Sequence, residues 1–336
     1  MKKSNEKIWS ILVHLSININ QRHENEKFSD QFDDTFWDYI VEESAKSGIN
    51  MIVLDVNDGI EFGSHPEIAW EGCWTRRKMR KEIERCKKLG IEIVPKFNFS
   101  TIHSYWMKEY RRKTSTTEYY QFANDIIKEA YELFDHPRYI HIGMDEEGAQ
   151  FCGGSKFAVY RQKDLFWHDL RFLYDCVADT GAMPFLWFNP LFNDPEGYKE
   201  HFDPGEAILQ PYYYNSIRED HWTPVESRSE YVVYYNEGKY KELGIKFVEQ
   251  DPYLVKCRET MIPLMKEGYL YMPCASVFNR CDWNHLDLVE YFKENAPDDQ
   301  IVGYMTAPWF RTTWDKKEYF DESFKFFKEA KEKFYK

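Results

Sequence analysis

The 336-residue chain is expected to fold as an α/β protein, a (β/α)8 TIM barrel, on three observations. Short apolar runs recur along it, each separated from the next by a stretch whose apolar residues fall at helical spacing. The runs are apolar throughout instead of alternating, as strands covered on both faces are. No glycine-rich dinucleotide turn and no Pro/Gly/Ser-rich linker interrupts the cadence, so residues 1-336 read as one barrel domain.

The first run, Ile8 to Leu15, makes a buried strand. Asp33 or Asp34 then caps a helix with Phe36, Trp37, Ile40, Val41 and Ala45 on one face, and Gly48 closes it. Strand two is Ile49 to Leu54, ending in Asp55, Asn57 and Asp58. Thr75 caps the next helix through Met79, Ile83 and Cys86, and Gly90 leads into strand three, Ile91 to Val94, ending at Lys96 and Asn98. A helix bearing Tyr119, Phe122, Ala123, Ile126, Ile127, Ala130 and Phe134 precedes strand four, Tyr139 to Ile142, which runs into Asp145, Glu146 and Glu147. A helix over 164–179 stops at Gly181, before strand five, Pro184 to Phe188. Strand six, Ala207 to Gln210, ends in Tyr212, Tyr213 and Tyr214. Two runs compete for strand seven, Ile245 to Val248 and Tyr269 to Met272. The second is preferred because it leaves a helix from His285 to Asn295 before strand eight, Ile301 to Met305. A tail helix carrying Phe320, Phe324, Phe327 and Phe334 ends the chain.

In a barrel the residues just past each strand gather on one face, where the chemistry sits. Here they are Asp55, Asn57, Asp58, Lys96, Asn98, His141, Asp145, Glu146, Trp187, Asn189, the tyrosine triplet, Asn279 and Trp309. Carboxylates, amides and aromatic rings together suit a carbohydrate partner, which needs hydrogen bonds to hydroxyls, flat surfaces for stacking and an acid for a leaving oxygen. Adjacent carboxylates at a strand end repel one another, which favours keeping one of them protonated. An aromatic content of 18% leaves rings to spare for such a site, and a net charge of −13 argues against nucleic acid. The seven cysteines form no C-x-x-C pair, so neither a zinc site nor a disulfide framework is indicated. Asp55, Asp58, His141 and Asp145 are possible metal ligands by type, but their spacing demands no ion, and no metal or cofactor is expected. No run is long enough to cross a membrane, and the apolar start, interrupted by His14 and lacking a small-residue cleavage site, suits a strand better than a signal peptide; a cytoplasmic protein is expected.

The stretch His141-Ile142-Gly143-Met144-Asp145-Glu146 resembles the His-x-Gly-Gly-Asp-Glu signature of family-20 glycoside hydrolases, the β-N-acetylhexosaminidases, with Met144 for the second glycine. Asn50 to Asp58 is similar to that family's second strand, Asn-x-x-x-x-His-x-x-Asp, and His65-Pro66-Glu67-Ile68 to its Tyr-Pro-Glu-Leu. Gly90 to Asn98 runs parallel to Gly-Ile-x-Val-Ile-Pro-Glu-x-Asp, with Trp106 beyond, and Gly303 and Trp309 sit like the glycine and tryptophan of the last strand. The likeness is good over 47–147. Asp55 replaces the family's His, Lys96 its Glu and Asn98 its Asp. Strand one has no hydroxyl-gripping arginine, Arg22 being nearest, and Arg311 takes the place of a hydroxyl-binding Glu.

The resemblance implies a retaining, exo-acting, substrate-assisted glycosidase. Glu146 would be the general acid and base, and Asp145 would orient the 2-acetamido group. One of Tyr212, Tyr213, Tyr214 or Tyr253 would donate to its carbonyl, Trp187 and Trp309 would wall the sugar, and Asp55, Asp58, Asn98, His141 and Arg311 would complete substrate binding. Two other readings stay open: a conventional glycosidase with a second carboxylate such as Glu249 or Asp282, and a glycan-binding barrel that cuts nothing. His141 is equally suited to a core role and to the acid's network, Glu147 to solvent or to a cation, and Lys96 to a buried pairing with Asp55 and Asp58.

Overall fold

The computed structural model describes residues 6–16, 26–148, 157–214, 252–277 and 283–335. Nine parallel strands, β1 (Ile8–His14), β2 (Met51–Asp55), β3 (Glu92–Lys96), β4 (Tyr139–His141), β5 (Met183–Trp187), β6 (Ile208–Gln210), β7 (Leu270–Tyr271), β8 (Cys274–Ala275) and β9 (Gly303–Thr306), form one sheet in the order β7-β6-β5-β4-β3-β2-β1-β9-β8. The sheet closes on itself. β7 pairs with β6 while Tyr271 bridges Ile301; β8 pairs with β9 while Cys274 bridges Tyr212. The expected seventh strand is therefore present but split at Pro273, which has no N–H to give a ladder. Met272 N still donates to Leu209 O, and Pro273 O still accepts from Met305 N, so the eight-position ring is kept. The competing run Ile245 to Val248 lies outside the described residues.

Helices cover the outside. α1 (Asp34–Lys46) is capped by Asp33, whose carboxylate accepts from the backbone of Thr35 and Phe36, and α2 (Arg76–Lys88) by Thr75. α3 (Thr117–Leu133) and α4 (Asp164–Ala178) follow close to their expected bounds, as do α8 (Asn284–Asn295) and α9 (Lys317–Phe334). Two short helices after β5, α5 (Asn189–Asn193) and α6 (Pro195–His201), carry no extended apolar period and were not expected; prolines at their first turns start them. α7 (Pro252–Lys266) precedes β7. Among the described residues no helix is long and apolar enough to cross a membrane. Cys73, Cys86, Cys176 and Cys274 are free thiols, while Cys152, Cys257 and Cys281 lie outside the residues whose side chains are described.

The core has two layers. A large one fills the space between strands and helices, and a smaller one, including Leu12, Met51, Val53, Val94, Phe185, Trp187 and Met305, fills the barrel itself. Strand register places His14 beside Asp55, Asp55 beside Lys96, Lys96 beside His141, and His141 beside Phe185. In-register neighbours of a parallel sheet share a face, so His14, Asp55, Lys96 and His141 make one polar row at the inner, C-terminal rim, with Phe185 next to it.

Closure between β1 and β9 depends on a missing side chain. A Cβ on Gly303 would overlap the carbonyl and Cβ of Ile8, its register partner. Gly303→Ala is expected to lower stability by about 1–3 kcal/mol through overpacking. An unchanged urea midpoint would count against closure at this pair.

Candidate active site

The polar row is the floor of the barrel mouth. Asp55 Oδ2 receives His14 Nδ1 at 2.9 Å and Lys96 Nζ at 3.0 Å, and Oδ1 receives Asn57 Nδ2 at 2.6 Å. All four are buried. Burial by itself would raise the Asp55 pKa, but the Lys96 charge, with His14, holds it below the ordinary carboxylate value. The expected pairing of Lys96 with Asp55 is present. Asp58 is engaged elsewhere, on Ser16 Oγ at 2.6 Å and Lys108 Nζ at 3.5 Å. His141 accepts the Gly143 amide at Nδ1 and faces Gln210 Oε1 through Nε2, both at 3.0 Å, so its proton sits on Nε2. Burial, with Lys96 nearby, pushes its pKa down to about 3. It is a satisfied core histidine, and through the Gly143 amide it also braces the loop that follows.

That loop turns sharply, with φ of 76° at Gly143, 70° at Met144 and 49° at Glu146. Only glycine fits at 143, because a Cβ would collide with the side chain and Cα of Asn98. Asn98 Oδ1 accepts from Met144 N at 3.3 Å and from Ser100, while its Nδ2 donates to Asp145 Oδ1 at 2.7 Å. Asp145 Oδ2 receives the Tyr212 hydroxyl at 3.0 Å and lies 3.3 Å from His103 Nε2. Burial opposes ionisation of Asp145, yet the His103 charge, Lys96 and the Asn98 amide together hold its pKa well below the usual range. Glu146 is different. Its side chain is 40% exposed, and its Oε2 meets the same His103 nitrogen at 3.0 Å. The adjacent acids thus occupy opposite surroundings, one sunk and held by three donors, the other open at the mouth.

Aromatic rings form the wall. Trp187, fully buried, stacks on Tyr212 with centroids 4.5 Å apart and meets Trp309 at 5.4 Å. Trp309, at φ 63°, donates through Nε1 to the Tyr214 hydroxyl at 2.8 Å and lies 5.8 Å from the His14 ring. The tyrosine triplet alternates as an extended chain does. Tyr212 and Tyr214 face the mouth, whereas Tyr213 points outward to Asp287 and Arg258.

Arg311 is not gathered with this group. It pairs with Glu26 at 2.6 Å and reaches Asp30 O. Glu147 is buried, not solvated. It receives the Arg161 guanidinium through both oxygens at 2.9 Å, along with the backbone amides of Arg161 and Thr101. Arg22, Asn279, Glu249 and Asp282 lie outside the described residues, as does the Tyr253 side chain.

Three residues of the site escaped the sequence reading. His14 is the last residue of β1, and the strand-end rule applied to β1 would have found it. His103 lies in an irregular stretch after β3 that carries no periodic signal, and Arg161 finds Glu147 only through tertiary contact. His103, Asp145 and Glu146 bring ligand atoms within 4.8 Å, the one such group among the described residues. Flanking carboxylates, acting against burial, raise His103 to about 10, so its nitrogen is a proton donor in a hydrogen-bonded triad.

The protein is thus a parallel barrel with a buried and an open carboxylate side by side at its C-terminal mouth, next to aromatic rings. Solved structures of like fold include Streptomyces plicatus N-acetyl-β-hexosaminidase in complex with thio-NAglucal (14% identity, TM-score 0.61, covering 96% of this chain and 62% of that one) and the family-20 β-N-acetylhexosaminidase of Streptomyces coelicolor A3(2) (13%, 0.60, 95% and 63%). Dispersin B is also among them (12%, 0.59, 98% and 99%). The chain thus spans less than two thirds of the two Streptomyces enzymes and nearly all of Dispersin B. At these identities the likeness is one of fold. No family model and no curated protein matches the sequence.

The two site histidines should titrate far apart. Long-range 15N correlation is expected to show His103 charged until the pH nears about 10, and His141 neutral until it falls to about 3. His103 is raised in the fold, so its stabilisation is full below an unfolded value of roughly 6.5 and fades as pH climbs towards its folded value. A His103 signal titrating near neutrality would sink this account of the triad.

Proposed function

We propose that the protein is a retaining, exo-acting glycosidase of the β-N-acetylhexosaminidase type, using the substrate's own 2-acetamido group as nucleophile. The contrast between Asp145 and Glu146 carries this reading, and the shared fold supports it. Glu146, open at the mouth with a proton on His103 3.0 Å away, protonates the glycosidic oxygen as the C1–O bond breaks. Asp145, ionised and fixed by Asn98 and Tyr212, accepts from the acetamido N–H and turns the carbonyl oxygen onto C1. The departing aglycone takes Glu146's proton. Glu146, now a base, takes a proton from the water that opens the cyclic intermediate, returning the acetamido group and the retained anomer. Substrate assistance of this kind needs no carboxylate nucleophile.

Tyr212 and Trp309 offer the ring faces against which the sugar packs, and the fully buried Trp187 backs them from behind. Asp55, with both oxygens occupied by His14, Lys96 and Asn57, braces the floor, and Asn98 and His141 act by holding the acid loop. Asp58 and Arg311, tied to Lys108 and Glu26, have weaker claims to touch the sugar.

Glu146→Gln should slow cleavage of an N-acetylhexosaminyl disaccharide by roughly 10²–10⁴-fold and an activated dinitrophenyl glycoside much less, since a good leaving group needs little protonation. Asp145→Ala should lose activity on aryl glycosides bearing the 2-acetamido group. A wild-type protein that cleaves aryl glycosides equally with and without that group would exclude substrate assistance, and turnover indifferent to Glu146→Gln would exclude Glu146 as the acid.

A further inference from the structure

The segment between β3 and α3 carries more than His103. Its 3-10 stretch, Ser104–Arg112, is broken at Lys108, where the backbone turns to φ 51° and ψ −118°. Beside the break lies a cavity of about 530 Å³ lined by Tyr105, Lys108, Glu109, Arg111, Arg112 and Lys113. Four cations and one acid thus share a hollow in a chain whose net charge is −13.

Lys108 pairs with Asp58, but the other three cations differ from the molecule's paired arginines. Arg76, Arg85, Arg138, Arg161, Arg171 and Arg258 each reach a carboxylate. Among the described residues, Arg111, Arg112 and Lys113 reach none. They lie over rings instead, Arg111 4.9 Å from the centre of Tyr105, Arg112 5.5 Å from that of Phe157 and Lys113 5.6 Å from that of Tyr110. A ring face positions a cation and leaves its N–H donors free for an acceptor. Arg111 is partly withdrawn from water. Burial and, more weakly, the neighbouring Arg112 work against its charge. Arg111, Arg112 and Lys113, held close together with no carboxylate in reach among the described residues, are less favourable alone than around an anion.

We propose that this cavity binds an acidic substituent, a sulfate or a carboxylate, on the leaving-group side of the glycan, so that the preferred substrate is an N-acetylhexosamine attached to an acidic saccharide. This rests on Glu146 as the acid. A proton donor stands beside the oxygen it protonates, so the aglycone lies on Glu146's side of the site. His103 touches Glu146, and the chain runs from His103 straight into the basic segment. At about 2 Å of rise per residue, the stretch up to the break places Lys108 within ~10 Å of His103, inside the reach of a short oligosaccharide. The arginine forks would take an oxyanion through paired N–H donors.

The test is calorimetric titration in a Glu146→Gln background, which stops turnover, with and without the pair Arg111→Ala and Arg112→Ala, on proteins whose melting curves match. Three ligands are compared: an N-acetylhexosaminyl disaccharide sulfated on its reducing-end sugar, its unsulfated counterpart, and inorganic sulfate. The sulfated disaccharide should bind on the order of tenfold more tightly than the unsulfated one, with the gain abolished by the double substitution and by high salt. Equal affinity for the two disaccharides, or a gain that survives the double substitution, would overturn the proposal. So would inorganic sulfate binding as tightly as the sulfated sugar, which would mark a site for a free anion. Arg111→Ala with Arg112→Ala should leave turnover of a neutral aryl N-acetylhexosaminide unchanged when Glu146 is intact. Failure of the unsubstituted protein to cleave that neutral substrate counts against the glycosidase reading, and the titrations, which need no turnover, still decide the cavity.

Discussion

The close approach of the Gly143 backbone to Asn98 is the contact on which the rest of the site depends. A side chain at 143 would push the two strand ends apart, and the Asn98 amide could no longer serve Met144 through its oxygen and Asp145 through its nitrogen. One amide thus sets the turn and aims the carboxylate. The positive φ values at Met144 and Glu146 are the backbone cost of bringing successive acids onto the same His103 nitrogen. His141 braces the same turn from the strand side by accepting the Gly143 amide.

Electrostatics then assigns different characters to the acids. In a dry barrel, lone charges are expensive, and each buried one here has a named partner: Lys96 and His14 for Asp55, His103 for Asp145, Arg161 for Glu147. The row His14, Asp55, Lys96 and His141 shows how such charges coexist. The carboxylate sits between two groups able to donate to it, and the neutral imidazole stands beyond the lysine, its pKa depressed by burial and by that neighbour. Asp55 and Lys96 fill the row with complementary charge.

Much of the fold was legible because strand runs and helix caps are local signals. Asp33, Thr75 and the continuous apolar runs each announce their element without help from elsewhere. Of the site, Asp145, Glu146, Asn98, Tyr212, Trp187 and Trp309 could be named from their places at strand ends, since barrel topology gathers those ends. The roles were less accessible. Period-two alternation separates Tyr212 from Tyr213, but only the register of the strand says which one faces inward. His103 and Arg161 come from irregular segments, where no periodicity reports position, and Arg311 follows the last strand yet turns to Glu26. Pro273 shows the same limit: a break in strand pairing depends on which neighbour needs the missing donor.

The Glu147–Arg161 pair has a bearing on how the mouth is fastened. The chain leaves the acid loop at Glu147 and returns to the same buried ion pair at Arg161, whose guanidinium also holds Phe99 O. Both ends of the excursion are therefore fastened to the barrel immediately beside Asp145 and Glu146. A single carboxylate thereby ties together the acid loop, the segment after β3 and the residues before α4.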